Sequence, residues 1–268
     1  MHTSISETDQ NMVLREIWRF PVKGFAGERL EEINCIADSL LPHDREYALT
    51  TGHPATHDKL PEGWLPKRHF LQLLKEARLA GLEFRFDALR QTLSLHNKEQ
   101  KIAIASAPAD DRAPLSEALY QLMPDAFTST PVLCRLDAGG YSDTPAPWIS
   151  LGGTATLDAF AKLTRTDSAA SRFRLNLIIE TNTPFIEQSW AGRILKIGHV
   201  ECEVMEPVGR CGAISVNPQT HHRERDYLPE MERAWRHTDL GMFARICNHG
   251  ALKTGKAVSL KKERPDSR

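Results

Sequence analysis

The segment LNLIIE, Leu175 to Glu180, reads as a buried β-strand, and RILKIGHVECEVMEP, Arg193 to Pro207, reads as two strands that pair with each other. Working outward, Gly241 to Cys247 and Lys256 to Leu260 are further strands on the C-terminal side. Two helices punctuate them: Asp226 to Trp235, and TLDAFAKL from Thr156 to Leu163, which has a hydroxyl available as its cap. On the N-terminal side VLREIWRF, Val13 to Phe20, sets Leu14, Ile17 and Trp18 among polar residues in strand fashion, and Pro21 ends it. Arg29 to Ala37 and Arg45 to Thr51 are strand candidates, and Leu82 to Phe86, Thr92 to His96 and Lys101 to Ala105 have the spacing of a meander. HFLQLLKEAR, His69 to Arg78, carries apolar residues at helical spacing, and Asp111 to Leu122 is a second helix with Pro114 near its start. Many short strands with few helices predict an α+β, mainly β chain built on a barrel, preceded by a smaller β-rich module.

Composition fits that reading. A chain of 268 residues with 41% hydrophobic and 26% charged residues has room for one large domain or two small ones. The turn-rich stretch Asp125 to Pro131 marks the boundary. The expected organisation is a tail over 1–12, a β-rich module over 13–125, a second domain over 126–262 and a tail over 263–268. A formal net charge of -1 argues against nucleic acid as a partner. No apolar run reaches the ~18 residues of a membrane helix, and the polar N-terminus lacks the order of a secretory signal, so a cytoplasmic protein with no membrane partner is expected.

Five cysteines stand far apart, with no Cys-x-x-Cys, so neither a zinc ribbon nor a ferredoxin-type cluster is encoded. Cys35, Cys134, Cys202 and Cys247 read as small buried hydrophobes. Cys211 differs. Arg210 adjoins it and Gly209 and Gly212 flank the pair; a neighbouring cation favours thiolate, and a soft thiolate can ligate a metal or carry a transferable sulfur. The alternative is an inert loop cysteine beside a surface arginine. Basic residues recur at Lys23, at Arg45, and at Arg172 and Arg174, which would share one face of an extended chain and offer two forks to a phosphate or carboxylate, or else be separately solvated. Lys67-Arg68 is a further anion contact to weigh against a solvated pair. His221-His222 reads as a solvated turn and Phe185 and Trp190 as packing.

Segments RFRLNLIIE (Arg172 to Glu180), PFIEQSWAGRILKIG (Pro184 to Gly198), GRCGAISVNPQT (Gly209 to Thr220) and LGMFARICNHGALKTGKAVSL (Leu240 to Leu260) resemble, in order and spacing, the MOSC domain, named for the C-terminal part of molybdenum cofactor sulfurases. REIWRFPVKGFAGERLEEI (Arg15 to Ile33) and HDREYAL (His43 to Leu49) resemble the β-barrel module that precedes many such domains. The resemblance implies a molybdenum–molybdopterin cofactor, with Cys211 as metal ligand or sulfur acceptor and as the catalytic residue. It implies that Lys23, Arg45, Arg172, Arg174, Asn176 and Arg210 line the cofactor site. Thr156, at a helix N-terminus, is the hydroxyl expected on the phosphate, ahead of Thr154. Relatives commonly have Ser at Gly24, Pro at Leu175 and Asp at Lys256, so one hydroxyl contact is absent here. The relatives similar to the amidoxime-reducing component reduce N-hydroxylated substrates, and some bacterial ones carry a ferredoxin domain. This sequence has no such cysteine cluster, so a small-molecule substrate and an external ferredoxin- or flavoprotein-type electron donor are expected. The other implied role is a sulfur or cofactor carrier serving a cofactor-maturation enzyme. Pyridoxal phosphate belongs to the sulfurases' separate desulfurase part and is not expected here.

Overall fold

The computed structural model describes residues 12–51, 67–100, 102–167 and 169–261. In chain order its regular elements are β1 (Met12–Arg19), β2 (Glu28–Leu30), β3 (Glu32–Cys35), β4 (Tyr47–Leu49), β5 (Leu82–Asp87), β6 (Thr92–Asn97), β7 (Ile102–Pro108), α1 (Ala113–Leu122), β8 (Leu133–Arg135), β9 (Ile149–Gly153), α2 (Thr154–Thr164), β10 (Leu177–Ile179), β11 (Ile194–Ile197), β12 (Val200–Gly209), α3 (Leu228–Trp235), β13 (Asp239–Ile246), β14 (Gly250–Lys253) and β15 (Ala257–Leu260). Of the expected tails only Met12 lies among the described residues, and it begins β1.

Alternation builds the barrel. Along β12 the side chains of Val200, Cys202 and Val204 are buried while Glu201 and Glu203 are not, and β11 and β13 repeat the pattern with Leu195, Ile197, Met242, Ala244 and Ile246. The inward residues form one cluster with Leu14, Ile17, Ile149, Leu151, Leu177, Ile179 and Trp190. Strand order is β10-β9-β13-β12-β11-β15-β1, and β1 pairs back onto β10, so the sheet closes on itself. Only β9 and β10 run parallel within it. Closure leaves these seven strands without a free edge, while β2 pairs onto β1 outside the ring. Helices α2 and α3 cover the outside at one end through Leu157, Phe160, Tyr227 and Met231, packed on Phe173, Leu175 and Leu240.

The first half packs a second core beneath the β5-β6-β7 meander and α1, around Phe25, Phe84, Leu93, Leu95, Leu115 and Leu119. It is bound into the barrel at two places. Strand β1 is a barrel stave, between β15 and β10, and β3 pairs with β14.

Three local expectations change. Residues 69–78 are not a helix. Short 3-10 turns at Lys67–His69 and Ala77–Gly81 flank an irregular strap, because Phe70 bridges to Thr50 and the Leu71 N–H donates to the Leu49 carbonyl at 2.8 Å. Tertiary pairing overrides the helical period there. Helix α2 starts two residues early, and its N-cap, Gly153, supplies no side-chain hydrogen bond. Strands β8, β9 and β14 are absent from the sequence reading; the GALK sequence of β14 has one buried apolar residue, Leu252, and its partner β3 decides its state.

Ile17 is fully buried and faces Leu177 on β10 and Leu30 on β2. Ile17→Ala should therefore cost about 2–5 kcal/mol of unfolding free energy, as for a truncated core isoleucine. Urea denaturation measures it. A loss well below 1 kcal/mol would mean that β1 does not close the barrel.

Candidate functional site

β13 defines the site's floor. Met242 and Ala244 point into the barrel, so Phe243 and its register partner on β9, Ser150, face outward. Against this outer wall lie the loop after β1, the segment between β8 and β9, and the strap. They enclose a cavity of about 970 Å³ including its open mouth. Cys211, Lys23, Arg45, Arg172, Arg174, Asn176 and Arg210 all line it, so widely separated sequence candidates converge. Lys67 lines it too, while Arg68 does not.

One wall is cationic. Lys23, 8% exposed, donates from Nζ to the Tyr141 carbonyl and to Asp143 Oδ1, each at 2.8 Å. Burial lowers its pKa although Asp143 opposes the shift, and Lys23 in turn helps hold the Asp143 carboxyl down at about 2 against desolvation. Arg45 pairs with buried Asp44 and donates to the Arg174 carbonyl at 2.8 Å. Arg174 donates to the Phe25 carbonyl. The Arg45 and Arg174 guanidiniums both lie over the Phe20 ring, at 4.8 and 4.5 Å from its centroid. Desolvation first, and then Arg45, lower the Arg174 pKa to about 9. Two like charges on one ring with a single buried carboxylate between them favour an added anion. Both arginines also hold left-handed backbone, at φ +54° and +53°, which non-glycine residues adopt rarely and at some cost.

The expectation for Arg172 and Arg174 changes. Arg172 ends a 3-10 turn and Arg174 is left-handed, so the two do not share a strand face. The Arg172 side chain is wholly buried: it bonds the Ile214 carbonyl at 3.0 Å, Glu224 at 2.9 Å and Asp167 at 3.3 Å. Two carboxylates neutralise it, and it braces the loop after Cys211 rather than offering a free fork. Asn176 is likewise occupied: Oδ1 accepts from the Ser150 N–H and hydroxyl, each at 3.1 Å, and Nδ2 donates to the Trp18 carbonyl at 3.2 Å. It ties β10 to β1 and β9 at the cavity's back.

Thr156 lies outside this cavity. It is fully buried; its hydroxyl donates to Glu187 Oε2 at 2.9 Å and accepts from the Phe185 N–H at 2.7 Å. Glu187 Oε1 also accepts from the Gly153 N–H at 3.3 Å. The anion at the α2 N-terminus is thus the chain's own carboxylate, whose pKa burial raises. Thr154 bonds Thr181 instead, at 3.2 Å.

Cys211 ends the run after β12, half-buried, just before a 3-10 turn over Gly212–Ser215. Arg210 beside it directs Nε and Nη1 to the carbonyls of Leu240 and Phe173, both at 2.8 Å, so it fixes the loop's backbone. Gly241 permits that arrangement: it has φ +81°, and a Cβ there would lie 2.5 Å from the Leu151 carbonyl oxygen. Gly24 is similarly constrained, at φ +89° with a notional Cβ 2.9 Å from the Leu71 oxygen, so the strap's close approach leaves no room for a side-chain hydroxyl there. The cavity wall around Cys211 is apolar: Leu73, Leu74, Val208, Ala213 and Ile214, with Trp148 and Phe243 in aromatic contact at 6.0 Å. No motif announced Trp148, Asp143 or the strap; they reach the site only through loop packing. Among the described residues no cluster of three or more His, Cys, Asp or Glu could hold a metal ion by protein ligands alone.

Fold and site together define a β-barrel protein with a thiol and an excess of cations in one cavity. Residues 148–259 match the MOSC domain model. Over 67 residues the chain is 37% identical to a molybdenum cofactor sulfurase of Drosophila willistoni, and over 63 residues 36% identical to that of Danio rerio. These stretches are 25% and 24% of this chain but only 8% and 7% of those proteins. Among solved structures, the YuaD protein of Bacillus subtilis superposes over 95% of this chain and 97% of its own, at 9% identity and a TM-score of 0.47. YiiM of Geobacillus stearothermophilus covers 42% of this chain and 54% of its own, at 16% identity and a TM-score of 0.34. No helix among the described residues is long and apolar enough to cross a membrane.

Burial pushes the thiols of Cys35 and Cys134 up to about 12 and about 11 and raises that of Cys202 as well. Cys211 lines an open cavity. Limiting iodoacetamide at mild pH, read by mass spectrometry, should label Cys211 at least about tenfold faster than any of those three. Faster labelling of Cys35 or Cys134 would overturn this placement.

Proposed function

We propose that the cavity binds a molybdopterin form of the molybdenum cofactor and that the chain reduces N-hydroxylated substrates with electrons from a separate donor. The observation that carries this is the shared cavity: a soft sulfur, Cys211, together with Lys23, Arg45, Arg174 and Arg210, with Asp143 paired to Lys23 and Asp44 to Arg45. The residues fit such a group. A phosphate would relieve the repulsion between desolvated Arg45 and Arg174, and Cys211 would supply a thiolate to a metal whose remaining ligands come from the cofactor. The match to the MOSC model and the name of the sulfurase relatives support the same reading.

In this assignment Arg45 and Arg174 bind the phosphate, and Lys23 adds charge from a position fixed by Tyr141 and Asp143. Arg172 and Asn176 hold the loop and strand that carry these groups. Arg210 fixes the backbone on which Sγ of Cys211 is presented. When bound, the cofactor supplies two-electron oxygen-atom transfer. The apolar wall beside Cys211 excludes water from the bound substrate. In this reading a ferredoxin- or flavoprotein-type partner is the source of electrons. The second reading, a carrier holding a persulfide on Cys211 for a cofactor-maturation enzyme, is favoured by the sulfurase relatives and predicts cyanide-labile sulfur on that residue.

Arg174→Ala should weaken cofactor retention by roughly 1.5–3 kcal/mol, about ten- to hundredfold, through loss of a charge-assisted contact. Cys211→Ser should lower molybdenum more than pterin, because a hydroxyl is a harder and less acidic ligand. Pterin and molybdenum contents of protein from a molybdopterin-producing host measure both effects. Unchanged contents in both variants would remove the cofactor from this cavity.

Reduction of an N-hydroxylated compound should appear when the loaded protein is given a low-potential dye, and should vanish in Cys211→Ala. NADH alone should drive none. No dye-driven turnover across N-oxides, S-oxides and hydroxylamines, with molybdenum present, would leave the carrier.

A further inference from the structure

We infer that Arg223 is a positioning residue that latches the first-half strap onto the Cys211 loop and thereby sets the size of molecule that reaches the thiol. The inference rests on the reading of Cys211 as the reacting atom. Arg223 Nη1 donates to the Gly212 carbonyl at 3.0 Å, while Nη2 donates to the Leu73 carbonyl at 3.3 Å and to the Leu74 carbonyl. One planar fork therefore joins the residue next to Cys211 with a segment about 150 positions away. Among the described residues Arg223 makes no ion pair, so its charge is spent on these main-chain oxygens.

The two ends of the latch are held differently. Arg223 itself is tied to the cysteine loop by its bridge to Val216, and the next residue by the Glu224 N–H to Ser215 carbonyl bond at 2.7 Å. Glu224 is further held by Arg172. The strap, by contrast, is anchored at its start through Leu71 and turns on itself through the Lys75 and Glu76 N–H groups to the Gln72 carbonyl. Its tip, Leu74, is 37% exposed yet lines the cavity beside Cys211. A Cβ on Gly212 would stand 3.1 Å from Leu74 Cδ1, so strap and loop are in direct contact where the latch closes. A lysine has no planar fork and cannot hold several carbonyls in this geometry.

The test is the ratio of Cys211 alkylation rates with a bulky maleimide and with iodoacetamide, measured on the whole chain by mass spectrometry, with half-buried Cys247 outside the cavity as internal reference. Arg223→Ala should raise the ratio at Cys211 about fivefold or more, Arg223→Lys should do nearly the same, and Cys247 should not change. Leu74→Ala should also raise it while leaving the fork in place, and it decides the matter if the arginine variants are not recovered folded. An unchanged ratio in Arg223→Ala or in Leu74→Ala overturns the latch, as does an equal rise at Cys247, which reports general loosening. Because alkylation needs no cofactor, this outcome is separate from failure of the cofactor reading, which shows in molybdenum and pterin contents.

Discussion

The pairing of β1 with β10 is the contact on which the site depends. β1 comes from the start of the chain and β10 from well past its middle, yet Leu14 faces Ile179 and Ile17 faces Leu177. Just beyond the paired residues the Trp18 N–H donates to the Asn176 carbonyl at 2.7 Å, and the Asn176 side chain returns to the Trp18 carbonyl at 3.2 Å. An antiparallel pair that ends in this way brings the residues after β1 to those before β10. Lys23 follows one strand and Arg174 precedes the other, so closure of the barrel and assembly of the cationic wall are one event. The entropy of joining such distant segments is offset by the shared hydrophobic interior.

Electrostatics then distinguishes binding residues from braces. A buried charge is expensive unless it is paired. Arg172 meets that requirement with Asp167 and Glu224, and so is structural. Arg45 and Arg174 lie over the same Phe20 ring, Asp44 pairs with Arg45, and burial lowers the Arg174 pKa to about 9 although Asp44 and Asp143 oppose the shift. Groups kept in that condition, on strained left-handed backbone, fit a site whose neutralising charge arrives with a ligand. The contrast with α2 is instructive. Its N-terminus has the field to attract a phosphate, but Glu187 already occupies it. A helix N-terminus is a ligand site only where the fold leaves it open.

Cys211 is set apart from the buried cysteines by access. Cys202 points into the barrel and Cys35 and Cys134 sit in packed interiors, where an ionised sulfur is poorly solvated. The basic neighbour that suggested a stabilised thiolate also braces the chain, since Arg210 bonds the carbonyls of Phe173 and Leu240. The loop's rigidity, together with the strap across from it, gives the sulfur a defined apolar surrounding.

The local pattern by itself determined six of the seven barrel strands, because two-residue alternation in segments such as Val200 to Val204 records which side of a sheet is buried, whereas β9, buried at every position, was placed only by its pairing with β10 and β13. It also singled out Lys23, Arg45, Arg174 and Cys211, which the fold brings to one cavity. Only the tertiary structure decided that Arg172 and Asn176 are supports, that Thr156 faces Glu187, that residues 69–78 run as a strap and that Trp148, Phe243 and Asp143 line the same cavity as the thiol. Those outcomes turn on which distant group reaches a side chain first. Hydrogen-bond partners and desolvation are properties of the packed chain, and a one-dimensional pattern does not contain them.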